Sequence, residues 1–203
     1  VTSLLIGGKN AFGACVGDGW YTGNVAMVRR QRFGKYPLRF AARLEIEYRD
    51  GEVQVIGTDE SCRGTTGAVR ENDILNVEKR DFRLPHNSIF TANYPDCGKV
   101  EQTEYPVLPQ PSDFEPVELC EKFKPTYIKR SERDALVDFG QNMAGVLHLR
   151  VKGKAGTCVT LRHGEMLDND GNLYTENLRS ALSTDTLILS GGEDDFVPMF
   201  TYH

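Results

Sequence analysis

Two polar clusters in the last third of the chain carry side chains able to exchange protons: Arg162-His163-Gly164-Glu165 and Glu176-Asn177-Leu178-Arg179. A histidine two residues from a glutamate can serve as general acid or base when both reach one proton. Hydrolysis of a glycosidic bond uses two carboxyl groups flanking it, and Glu165 with Glu176 or with Asp185 could supply them. Their spacing along the chain leaves their separation in space open. Charged loops around a turn are the simpler reading, with His163, Glu165 and Arg179 as polar groups of structure or interface.

A second kind of chemistry is recognition of a sugar ring. Gly17-Asp18-Gly19-Trp20-Tyr21-Thr22-Gly23 is a glycine-punctuated aromatic loop holding the one Trp of the sequence. Trp20 and Tyr21 can stack on the C–H faces of a sugar, and the Asp18 carboxylate can accept its hydroxyls. The plainer alternative is a bend whose Trp plugs the end of a sandwich. No GK[ST] follows the glycines, so this is not a phosphate loop.

Metal chemistry finds little support. Asp168-Asn169-Asp170-Gly171-Asn172 resembles the opening of a calcium loop, but the twelfth position is Arg179 where a Glu is needed. A tight turn is the better reading. Cys15, Cys62, Cys97, Cys120 and Cys158 form no CxxC pair, which argues against a zinc site. Cys15, Cys120 and Cys158 sit in strand-like apolar contexts and read as buried free thiols. No cofactor is indicated.

The elements that must position these groups are strands. In Arg39 to Tyr48, Phe40, Leu44 and Ile46 share one parity while Arg43, Glu45 and Glu47 take the other. Asp50-Gly51 reads as a hairpin turn into Glu52 to Gly57. Val146 to Val151 alternates, Lys152 to Gly156 is a turn, and Thr157 to Leu161 returns. Thr186 to Leu189 begins another strand, with Gly191 to Asp195 as its end. Strands are expected near 39–48, 52–57, 145–152 and 157–162, with Leu44, Ile46, Val53, Val55, Leu147, Leu149, Val159 and Leu161 pointing inward. No segment keeps a 3.6-residue period, so helix content is low. The fold class is all-β, as two antiparallel β-sandwich modules of jelly-roll or concanavalin-like type. Three prolines between Tyr105 and Pro111 favour an extended linker and a domain boundary near residue 112, giving modules at 1–112 and 113–203.

Composition narrows the partners. The chain of 203 residues has a net charge of −5 with 39% hydrophobic and 26% charged residues. Neither half is basic, which argues against nucleic acid; the run Arg29-Arg30-Gln31-Arg32 is a local exception that reads as a solvated loop. No apolar run approaches the roughly 20 residues of a membrane helix. No signal peptide is seen, and the compartment, cytoplasmic or periplasmic, stays open. The chain begins at Val1 and stops at Met199-Phe200-Thr201-Tyr202-His203, which reads as a strand interrupted midway.

Asp138-Phe139-Gly140-Gln141-Asn142-Met143-Ala144-Gly145 is the most informative single segment. A buried Gln141-Asn142 pair needs hydrogen-bond partners, since an unsatisfied buried amide costs roughly 1–3 kcal/mol. Together with VTSLLIGGKNAFGACVGDGWYTG (1–23), VIGTDES (55–61), ENDI (71–74), RHGEMLDNDGNLYTENLRSALSTDT (162–186) and FTYH (200–203), the chain resembles bacterial α-L-rhamnosidases of glycoside hydrolase family 78. The resemblance runs collinearly over nearly the whole chain. It implies the amino-terminal rhamnosidase module, without its first strands, followed by a concanavalin-like module stopped before its end. It also implies that the catalytic carboxylates belong to a large (α/α)6-barrel of the same polypeptide, so none of the catalytic residues is expected here. A rhamnose-containing carbohydrate is the implied ligand. The sequence departs from the family pattern at Cys62, where Trp is usual, over Val77 to Arg83, and in lacking tryptophans over 84–104.

Overall fold

A computed structural model describes residues 2–25, 33–85, 97–104, 110 and 113–203. The Arg29–Arg32 run, most of the proline segment and the boundary position at 112 lie outside the described residues. Among those described there are fourteen strands, one helical turn (α1, Gly19–Thr22) and two short 3-10 turns. The all-β expectation therefore holds. No helix of the described part is long and apolar enough to cross a membrane.

Strands β1 (Arg43–Glu47) and β2 (Val53–Gly57) form the expected hairpin, with a different register. The Tyr48 N–H donates to the Glu52 carbonyl at 2.8 Å and the Gly51 N–H to that of Tyr48 at 3.0 Å. The loop is thus Arg49-Asp50-Gly51, three residues with Gly51 at φ +87°, in place of a two-residue Asp-Gly turn. One extra loop residue shifts the pairing and exchanges the faces of the second strand. Leu44 lies across from Ile56, while Val55 faces Glu45 and Val53 faces Glu47. Leu44 and Ile46 are half-buried as expected; Val53 and Val55 are 54% and 51% exposed, contrary to the inward assignment.

The main body is a sandwich. A four-stranded sheet runs in the order β10 (Cys158–Arg162), β13 (Thr184–Ile188), β5 (Val77–Asp81), β4 (Val69–Asp73). Its pairings are antiparallel except β13 with β5, which is parallel. Strands from before and after residue 112 therefore share one sheet. β9 (Leu149–Lys152) pairs antiparallel with β14 (Glu193–Phe196). The returning strand β10 does not pair with β9 across the 153–157 turn; the chain crosses there from one layer to the other. Leu189 lies beneath this crossing, where a Cβ on Gly153 would come within 2.7 Å of its side chain.

The two layers meet at Leu187, Leu189 and Phe196, with Phe82, Leu149, Val151, Val159 and Leu161 packed around them. Leu149, Val159 and Leu161 thus point inward as expected, and Leu147 is half-buried. Phe82 and Phe196 meet edge to face at 6.5 Å. Two assignments change. Glu193, Asp194 and Asp195 belong to β14, not to a turn; Asp194 faces inward and accepts the N–H and hydroxyl of Ser190 at 2.9 and 2.6 Å. Cys158 alternates outward on β10, and Cys15, Cys120 and Cys158 are exposed free thiols, not buried ones.

Candidate functional site

The sandwich is apolar at one end and polar at the other. On β13 the inward positions run Asp185, Leu187, then Leu189 just beyond the strand, so a carboxylate continues a line of core leucines. Asp185 is wholly buried. Its Oδ1 accepts the backbone N–H of Glu78 at 2.8 Å and the hydroxyl of Thr201 at 3.3 Å. Its Oδ2 lies 3.4 Å from His163 Nε2, and His203 Nε2 lies 3.9 Å from Oδ1. These are ion-pair distances without hydrogen-bond alignment: Asp185 Oδ2 and both imidazole Nε2 atoms are buried and face one another without a hydrogen bond. The two imidazoles stack with centroids 4.4 Å apart.

The neighbouring chain places each group. The His163 N–H donates to the Ser183 carbonyl at 2.9 Å, carrying the ring from the end of β10 toward β13. His203 is held by a reciprocal pair of backbone bonds with Gly145, at 3.0 and 3.1 Å. Thus the segment 138–145 reaches this cluster through Gly145. Gln141 and Asn142 are exposed, correcting the buried-pair expectation. Gly140, at φ +80° with its N–H on the Asp138 carboxylate at 2.7 Å, shapes the turn just before them.

Next to Asp185 a second buried carboxylate anchors the same segment. Glu78, on β5, accepts the backbone N–H groups of Met199 (2.6 Å) and Phe200 (3.0 Å). Its other oxygen pairs with Arg80. The Arg80 guanidinium lies 5.0 Å above Phe196, over the apolar core. Burial raises the proton affinity of the Asp185 carboxyl, but the facing imidazoles and the Glu78 N–H outweigh it and hold the group well below the usual carboxylate range.

The aromatic loop lies on the other side of this network. Asp18 is buried, accepts the Tyr36 hydroxyl, and donates its N–H to Asn72 Oδ1 at 2.6 Å. Asp73 Oδ2 accepts the Asn24 N–H and side-chain amide, each at 2.8 Å. The ENDI segment thereby pins both ends of the 18–24 turn. Phe200 packs against Gly17, where a Cβ would fall 2.5 Å from its ring. Trp20 is 62% exposed and Tyr21 45%, so Trp20 is not buried as a plug among the described residues. Asp18 lies beneath the aromatic surface instead of on it.

The remaining polar candidates are scattered. Glu165 and Glu176 are exposed, and Arg179 is exposed with φ +60° beside the 3-10 turn Glu176–Leu178. Glu165 borders an open hollow of about 90 Å³ with Tyr127, Asp138 and Leu173. This is small against the ≈ 300–1,000 Å³ of ligand pockets. The 168–172 segment is a tight turn in which the Asp168 carboxylate caps the N–H groups of Asp170 and Asn172. Sequence reasoning singled out His163 and Asp185 separately but missed that they meet. The alternation placing Asp185 in line with Leu187 and Leu189 is the signal that could have found it.

Fold and cluster together define an all-β pair of joined modules, tied through a shared sheet and a buried polar end. The chain belongs to the bacterial α-L-rhamnosidase family. Residues 1–119 match the α-L-rhamnosidase N-terminal domain and residues 128–203 the bacterial α-L-rhamnosidase concanavalin-like domain. An α-L-rhamnosidase of Streptomyces avermitilis is 37% identical over 214 residues, covering 100% of this chain and 20% of the relative. One from an Alteromonas species is 34% identical over 210 residues, with 100% and 23% covered. The solved structure of the Streptomyces avermitilis enzyme complexed with L-rhamnose superposes with a TM-score of 0.81 at 36% identity, over 92% of this chain and 19% of that one. The native Aspergillus terreus α-L-rhamnosidase gives 0.80 at 29% identity, over 93% and 22%. The chain thus spans about a fifth of the length of these relatives.

Proposed function

We propose that this chain is the non-catalytic β-sandwich region of an enzyme removing terminal α-L-rhamnose from glycans or glycosides. Its two modules, 1–112 and 113–203, brace a catalytic (α/α)6-barrel carried elsewhere in the polypeptide. The observation that carries this reading is coverage: α-L-rhamnosidases match the chain end to end, yet it accounts for only 20% to 23% of their length. The buried clamps from Glu78 and Asp185 onto residues 199–203 support a bracing role, because they hold that segment rigidly against the sandwich.

The finer part of the reading is that the first module holds a rhamnose-containing carbohydrate on Trp20 and Tyr21. Both rings are exposed on a turn held from below by Asp18, Asn72 and Asp73. Tyr21 is backed by Gly34 while Trp20 stands further out, and an exposed aromatic pair held in place this way offers contact area at little ordering cost. Titrating L-rhamnose into the chain by calorimetry should give saturable binding that weakens in Trp20→Ala. That variant should fold normally, since the ring is mostly in water. Equal affinities in both proteins, or none in either, would remove Trp20 from the proposal. The rival reading, a small hydrolase using Glu165 with Glu176 or Asp185, is not favoured: one carboxylate is wholly buried, two are exposed, and no cleft among the described residues joins them.

A further inference from the structure

We propose that His163, Asp185 and His203 form a binding site for one divalent transition-metal ion, Zn²⁺ by ligand type, which staples residues 199–203 to β13. The three residues offer two imidazole nitrogens and one carboxylate oxygen, all within 4.8 Å of one another. Ligands at 2.0–2.1 Å around a tetrahedral ion stand about 3.3–3.4 Å apart. The His163–Asp185 pair, at 3.4 Å, already meets that spacing. His203 Nε2 stands 3.9 Å from the other oxygen, Oδ1, so its ring must turn toward Oδ2 to close a set whose ligand atoms already lie within 4.8 Å of one another.

An independent observation points the same way. The atoms facing the centre, Nε2 of both histidines and Oδ2 of Asp185, are buried without a hydrogen-bond partner. The side chains of Asp185 and His203 are 0% and 9% exposed. Buried polar atoms are nearly always satisfied, and one cation would satisfy all three. The carboxylate is also oriented for it. The Glu78 N–H and the Thr201 hydroxyl occupy Oδ1, which leaves Oδ2 for an ion, an arrangement typical of outer-shell support. Two nitrogens and one oxygen suit zinc and its neighbours and do not suit calcium or magnesium, which take oxygen ligands in larger number. His163, with 23% of its side chain exposed, lies on the route to solvent, where a water could complete the tetrahedron.

The test uses the whole 203-residue chain, stripped of metal and with its five free cysteines alkylated so that thiols cannot compete. ZnCl₂ is titrated by calorimetry, and CoCl₂ is added in parallel for its visible spectrum. Expected are one Zn²⁺ per chain and the spectrum of a tetrahedral nitrogen–oxygen cobalt site. His163→Gln and His203→Gln keep an amide near Asp185 and should each bind at least about tenfold more weakly, since even outer-shell partners are worth that much. Absence of saturable binding by the folded wild type, or equal binding by both variants, would overturn the proposal. Should a variant not fold, NMR of the wild-type imidazoles decides. Zn²⁺ must then shift the ring signals of His163 and His203 and leave the exposed His148 in place; a shift confined to His148, or none, rejects the site.

Discussion

Replacing Asp185 by Asn separates the charge of the buried carboxylate from the volume it fills. In the native protein it accepts the Glu78 N–H and the Thr201 hydroxyl and faces two imidazoles, with no exposure to water. A hydrogen bond to a charged group is worth roughly 1.5–3 kcal/mol, and removing one partner from a buried charged set costs roughly 3–5 kcal/mol. The Asp185→Asn variant should therefore lose about 3 kcal/mol in urea denaturation at pH 7, in the presence of a chelator. The pH dependence follows from the direction of the shift. The folded state holds the carboxyl below its ordinary value of 3.8, so its contribution is complete above that value. It is lost as pH falls toward the depressed folded value, because the unfolded chain then binds the proton first. The wild type should lose stability relative to the variant by up to about 1.4 kcal/mol per pH unit below pH 4. Asp59, held low by the Ser61 hydroxyl, Asp81, by the Arg83 side chain, and Asp168, by the Asn172 N–H, are common to both proteins and cancel in the difference. Two results would refute the reasoning: a variant as stable as wild type at pH 7, or a stability gap that stays constant from pH 6 to pH 3.

Leu187 is fully buried between the layers, so Leu187→Ala should cost roughly 2–5 kcal/mol; a loss below about 0.5 kcal/mol would mean that the two sheets do not meet there. Val53→Thr should change stability by less than about 0.5 kcal/mol, because the three-residue loop turns Val53 to the charged face. A loss well above that would restore the two-residue turn and the inward assignment. The chain should leave a chromogenic α-L-rhamnoside uncleaved above background. Glycosidic hydrolysis needs two carboxyl groups roughly 5–9.5 Å apart across a sugar-sized cleft, and turnover abolished in Glu165→Gln would promote the hydrolase reading.

Much of the fold was legible because it rests on period-two alternation. Leu149, Val159 and Leu161 fall inward on strands whose neighbours alternate with them, and the glycine turns lie where expected. What failed was pairing. The Asp50-Gly51 dipeptide fits either a two-residue turn or the last two positions of a three-residue loop, and only the backbone hydrogen bonds of Tyr48 and Gly51 distinguish them. A single residue of difference then moved Val53 and Val55 from core to surface. Likewise, the chain between β9 and β10 resembles a hairpin turn locally, while β9 pairs with β14 and β10 with β13. Long-range pairing of this kind leaves no local mark.

The polar end of the sandwich was harder to read for a different reason. Asp185 and Glu78 occupy inward positions that alternation alone would assign to apolar side chains, so each looks like an exposed charge until the strand is placed. Their partners come from far along the chain: Glu78 reaches Met199 and Phe200, and Asp185 gathers His163, Thr201 and His203. Buried charges of this kind are poor sources of net stability, since apolar replacements can do as well. They do discriminate between arrangements, because a slipped strand would leave a carboxylate buried and unpaired. Segment 199–203 forms no strand of its own, and its backbone donors at Met199 and Phe200 both end on Glu78. The clamp therefore fixes this segment in one register without relying on a sheet edge.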